Sequence, residues 1–133
     1  MIGDWVFTQD DRTVNQSKAD SVAVGSYNLD AHMAQRTLAP DGTVTNEGCL
    51  SGGAKHERLN MGEFELPYRL LLPRRSEATN LLVCAAVSAS HVGSASIRLE
   101  PQYMNLGEAA GVAASMAVAA RATAGYGVEA LAV

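Results

Sequence analysis

Cysteine is scarce in this chain. Cys49 and Cys84 are the two among 133 residues. They make no CxxC pair, no disulfide framework and no four-ligand zinc site, so two buried thiols is the plain expectation. Positive charge is short as well: ten bases against fourteen acids leave a formal charge of −4. Without a basic field to release counterions, nucleic acid is not an expected partner. The opening MIGDWVFTQDD reaches acids before any apolar run and has no basic leader, so it does not read as a signal peptide. A cytoplasmic chain, or a piece of something longer, is expected. GxxxxGK[ST], GxSxG and HExxH are all missing. Gly125-Tyr126-Gly127-Val128-Glu129-Ala130 has the glycine spacing of a dinucleotide fingerprint, but it follows a helical stretch instead of a strand, with three residues left. We read it as a chance match.

What is present is a globular composition, 47% hydrophobic and 18% charged. A chain of this length buries roughly two thirds of its unfolded surface in one core. Trp5, Val6 and Phe7 offer a short apolar anchor in an otherwise polar start. Val22, Val24 and Leu29 suit a strand, with Gly25 and Ser26 permitting a bend and Tyr27, Asn28, Asp30 and His32 gathered at or past its end. Ala39-Pro40-Asp41-Gly42 between Arg36–Leu38 and Thr43–Thr45 predicts a hairpin: proline presets φ, aspartate supports the turn and glycine accepts positive φ. Phe64, Leu66, Tyr68, Leu70 and Leu72 alternate as a strand does, with Pro67 marking an edge or a break.

Asn80 to Val87 is a short apolar run without alternation, the pattern of a strand buried on both faces. A polar stretch follows, and Pro101 is placed to open a helix, where its missing N–H costs nothing. From Tyr103 to about Thr123 helix formers dominate, and the helix should stop before Gly125 and Gly127. Asn105, Glu108 and Arg121 interrupt it, and its hydrophobicity is mostly alanine, which argues against a membrane span. Gly107, Gly111, Ala114 and Ser115 place small residues on successive turns, so this helix is expected to lie close to a sheet or a ligand.

The chemically suggestive unit is strand, polar loop and helix opening. Unpaired amides and the positive end of the macrodipole favour an anion or a polarised carbonyl there. Ser88, Ser90, His91, Ser94, Ser96 and Arg98 crowd into the loop, a donor density that suits phosphates, ribityl hydroxyls or a flavin edge. A solvated loop with helix-capping serines is the simpler alternative. His32 and His91 are possible proton carriers near neutral pH, and nothing in the spacing of these two and His56 makes a metal site. If the first strand ran on to His32, Asp30 and His32 would share a face, and the carboxylate could orient the imidazole.

The stretch Pro67–Ala119 resembles the C-terminal end of a bacterial family of FAD-dependent oxidoreductases with the glutathione-reductase-type flavin fold. The matching pieces are NLLV at 80–83, SASHVxxxSxRxxP at 88–101 and MxLGxAAGxAA at 104–114. GSYNLDAH, residues 25–32, is similar to the family's substrate-facing strand ending in YxxDxH. The resemblance implies an α/β, or α+β, fragment: the end of a substrate-domain sheet over residues 1–66, then the last strand and long helix of an FAD-binding domain over 67–133. The Rossmann half, with its GxGxxG, would come from a missing N-terminal segment.

FAD is then the implied cofactor and a small organic molecule the substrate, with neither nucleic acid nor membrane as partner. Ser90, His91, Ser94, Ser96, Arg98, Pro101, Met104 and Gly107 would line the flavin, while Tyr27, Asp30 and His32 would face the substrate. Within that set His32 would carry the proton that accompanies hydride transfer, with Asp30 orienting it. Two departures stand out: Cys84-Ala85-Ala86-Val87 replaces the small-Gly-Arg strand end of relatives, and Glu108 stands where glutamine is frequent. A noncatalytic interaction or assembly module that keeps part of a flavoprotein scaffold is the rival reading.

Overall fold

Alternating apolar residues from Phe64 onward build the centre of the molecule. The structure, a computed structural model, describes residues 1–14, 16–30, 35–47 and 62–120. Two antiparallel pairs of strands and one long helix dominate. Strand β1 (Ser21–Gly25) pairs with β4 (Phe64–Pro67), with Gly25 opposite Phe64 and an irregularity between Ser21 and Ala23. Strand β2 (Gln35–Leu38) pairs with β3 (Val44–Glu47). Helices α1 (Gln9–Thr13), α2 (His91–Ser94) and α3 (Glu100–Ala120) complete the set.

The expected hairpin is present. Gly42 adopts φ +83°, its N–H donates to the Ala39 carbonyl, and the Asp41 carboxylate accepts from Thr43 N–H at 2.9 Å and Thr43 Oγ1 at 2.7 Å. It stands in solvent, with Leu38 and Val44 exposed.

The break at Pro67 is equally plain. Beyond it the chain turns into a single 3-10 turn, Tyr68–Leu71, because proline has no N–H to continue the ladder and the Tyr68 N–H leaves to bond the Asp20 carbonyl at 2.6 Å. That turn drives Leu70 and Leu71 into the core, both fully buried. Phe7, Phe64, Leu66, Ile97 and Leu106 close around them, with Phe7 and Phe64 rings 5.8 Å apart. The apolar anchor at the start of the chain is thus part of the core.

Two expectations are corrected. Asn80–Val87 forms no strand: its backbone bends, Leu81, Ala85 and Ala86 are exposed, and Val83 N–H bonds to the Leu71 carbonyl. A strand exists only where another backbone pairs with it. Among the described residues this region instead bonds to the 3-10 turn and, through the Ala86 and Val87 carbonyls, to the Met1 ammonium, with an isolated bridge between Phe7 and Ala89 just beyond it. For the small-residue stripe of α3, the approach to a sheet is the part that is corrected. Leu106, Ala110, Ala113 and Ala117 face the core, whereas a Cβ added at Gly107 or Gly111 would meet nothing within 4 Å. The stripe looks away from this chain's own packing.

α3 begins at Glu100, one residue before Pro101, and the expected stop before Gly125 and Gly127 lies outside the described residues, as do Cys49 and His56. No helix among the described residues is long and apolar enough to cross a membrane.

Candidate functional site

Two buried residues bring the site together. Leu29, past the end of β1, and Ile97, before α3, are both fully buried. Each is followed by a residue held at the surface, Asp30 and Arg98. Arg98 Nη2 donates to Asp30 Oδ2 at 2.6 Å, and Tyr27 Oη donates to the same oxygen at 3.3 Å. The cluster is only partly covered, with side-chain exposures of 41% for Arg98 and 24% for Asp30, so a ligand can reach it. Arg98 lies two residues before α3, at the positive end of a 21-residue helix dipole.

The other expected site residues divide. Ser90 caps α2, accepting from Gly93 N–H at 3.1 Å, and Ser96, nearly fully buried, donates to the Gly93 carbonyl at 3.0 Å. Both hydroxyls therefore serve the chain's own backbone, the simpler of the two sequence readings. His91 is exposed at the start of α2, and Ser94 is half-buried on the same turn. Pro101 and Met104 are exposed on the first turns of α3, and Gly107 has open space beside it. β1 ends at Gly25, so it does not extend toward His32, and the shared strand face for Asp30 and His32 is corrected on that ground. His32 itself lies outside the described residues. Among the described residues Asp30 engages Arg98 and Tyr27.

Three features escaped the sequence reading. Arg12, in the polar stretch before β1, is fully buried and donates through Nε to the Tyr27 carbonyl at 3.2 Å. Gln102, on the first turn of α3, has a buried amide nitrogen without a partner among the described residues. A groove of about 760 Å³ runs between β1, the 3-10 turn and α3, walled by Val22, Asp20, Arg69, Asn105, Glu108 and Met116. It shares no lining residue with the Tyr27, Asp30 and Arg98 cluster. No periodicity in the sequence marks any of these, because each depends on contacts between distant segments.

Cys84 is half-buried and its thiol is pushed above its ordinary range by burial, so it stays protonated at neutral pH and is a poor nucleophile. No group of three or more potential metal ligands occurs among the described residues.

Residues 1–128 match the family model described as FAD dependent oxidoreductase. The chain belongs to the FAD-dependent oxidoreductase family. Its mixed arrangement of helices and small antiparallel sheets fits part of a flavoprotein domain, and FAD is the family's cofactor. No curated protein and no solved structure matches it. The donor set at the α3 opening suits the acceptor-rich edge of a flavin. The Gln102 amide, without a partner among the described residues, and the helix dipole present positive potential there, and the Arg98 guanidinium adds to it only as far as Asp30 leaves its charge unpaired. Glu100 in the first turn opposes it in part.

Proposed function

We propose that this chain supplies the flavin-facing helix and the substrate-facing turn of an FAD-dependent oxidoreductase that passes a hydride between a small organic substrate and the flavin. The observation that carries the reading is the 2.6 Å contact between Arg98 and Asp30, which ties the loop opening α3 to the turn after β1. When bound, FAD supplies the hydride acceptor or donor. Arg98 and the α3 opening hold positive potential on the cofactor side, with Gln102 offering a further donor. Tyr27 and Asp30 orient the substrate on the other side, and His32 takes or gives the accompanying proton. In this reading His91, Ser94, Pro101, Met104 and Gly107, all exposed or half-buried, line the flavin or its ribityl chain.

In this reading the strand-turn-helix that grips the ADP half of FAD comes from a separate N-terminal segment. The open Gly107 and Gly111 face of α3 is free to receive it. The test is to assemble the chain with that segment and follow flavin reduction in stopped flow. His32→Ala should slow reduction with FAD still bound, and Arg98→Ala should shift the flavin spectrum or weaken FAD. A His32→Ala protein that reduces at the normal rate overturns the proton assignment.

The rival, a noncatalytic assembly module, draws support from the exposed Met104, Val112, Met116 and Val118 on α3. It predicts an assembled protein without yellow absorbance and without FAD uptake.

A further inference from the structure

Arg12 is 0% exposed, yet no carboxylate among the described residues pairs with its guanidinium. Nε reaches the Tyr27 carbonyl at 3.2 Å, and Cζ lies 4.5 Å from the centroid of the Phe64 ring. Nη1 and Nη2 are buried with no hydrogen-bond partner among the described residues. The adjacent acid does not serve it: the Asp11 carboxylate accepts from the N–H and Oγ1 of Thr8, both at 2.9 Å. The contrast is Lys18, the other buried base, whose ammonium finds the Gln16 carbonyl at 3.1 Å and the Asp11 carbonyl at 3.5 Å. A buried cation is expensive unless paired, and an aromatic face compensates only in part. Desolvation already lowers the Arg12 pKa from its ordinary value.

We infer that Arg12 anchors a carboxylate-binding site beneath the Tyr27 turn, with Nη1 and Nη2 taking the carboxylate of a small organic acid. The two free nitrogens lie in one plane at one end of the guanidinium, which matches the two oxygens of a carboxylate. Charge decides between oxyanions. A carboxylate neutralises the single buried positive charge, whereas phosphate, divided at neutral pH between monoanion and dianion, does so with only part of its population. Because Arg12 is covered, the acid enters as the Tyr27 segment lifts, so binding is coupled to a local opening. The site belongs to this chain alone and needs no flavin, so its failure leaves the oxidoreductase reading untouched.

The experiment is the melting midpoint of the 133-residue chain in sodium acetate, sodium phosphate and sodium chloride at matched ionic strength and neutral pH. Acetate should raise the midpoint saturably, by about 5 °C over chloride, and the part of any phosphate rise that is lost in Arg12→Met should be smaller. Arg12→Met should lose that acetate-specific rise, and in chloride it should melt at or above the unsubstituted chain, since an apolar side chain of similar length replaces an unpaired charge. Should Arg12→Met not fold, 15N-labelled arginine in the unsubstituted chain carries the test: acetate should move the Arg12 Nε resonance saturably and leave the other arginines in place. Equal midpoints in acetate and chloride, an acetate rise that survives in Arg12→Met, or an unmoved Arg12 resonance each overturn the proposal. Equal midpoints together with a more stable Arg12→Met would assign the acceptor to a side chain of another polypeptide.

Discussion

Asp30 and Arg98 are 68 positions apart in sequence and 2.6 Å apart in space. The contact joins the turn after β1 to the loop that opens α3. Because the pair is partly exposed, its worth to folding is small, about 0 to 1 kcal/mol. Asp30→Asn should therefore shift urea unfolding very little, while in the FAD-loaded assembly it should slow substrate-dependent flavin reduction. A large loss of stability with normal reduction would reverse this assignment and make the pair purely structural.

Gly93 is packed against the backbone of Phe7. A Cβ there would lie 2.5 Å from the Phe7 carbonyl oxygen. That oxygen also accepts from Ser90 N–H at 2.8 Å, so it is not free to withdraw. Gly93→Ala should destabilise by about 1 to 3 kcal/mol through overpacking, measured by urea denaturation. Gly107→Ala, with open space around it, should be neutral or slightly stabilising in the same assay because alanine favours the helix.

Along α3, burial separates Leu106 from Met104. Leu106 is fully buried and Met104 is 73% exposed. Leu106→Ala should cost about 2 to 5 kcal/mol, and Met104→Ala should stay within about 0.5 kcal/mol of the unsubstituted chain. If Met104→Ala is the more damaging in isolation, the direction in which α3 faces is wrong.

Acid should loosen the β2–β3 turn. The Asp41 carboxyl is held below its ordinary value of 3.8, first by the Thr43 hydroxyl and then by the Thr43 N–H. A depressed folded pKa means that the contribution is complete above the unfolded value and disappears as pH falls through the folded one. Hydrogen exchange at the Thr43 amide should thus show protection that is constant at neutral pH and declines only below about 3.8. Protection lost already near pH 6 would contradict the assignment.

Cys84 should alkylate slowly. Burial raises its thiol pKa, so little thiolate exists at neutral pH. In a Cys49→Ser background, iodoacetamide labelling should be slower than for a free cysteine in a short peptide. Urea should abolish the difference.

Local chemistry set several features of this molecule in advance. Pro40, Asp41 and Gly42 determine a turn whose dihedral demands few other residues meet, and the Ala-rich stretch from Tyr103 determines a helix by propensity alone. Pro67 determines where a strand ends, since it has no proton to donate. The ordered pieces YNLDAH, NLLV, SASHVxxxSxR and LGxAAG likewise carried the flavoprotein family.

Everything that depends on neighbours was decided by the tertiary structure. Asn80–Val87 has the residues of a buried strand, yet a strand exists only where another backbone pairs with it, and here the 3-10 turn and the Met1 ammonium take its bonds. The burial of Arg12, the orphaned Gln102 amide and the meeting of Asp30 with Arg98 have no sequence signature. Each arises from placing distant segments within hydrogen-bonding range, an arrangement that no local periodicity encodes.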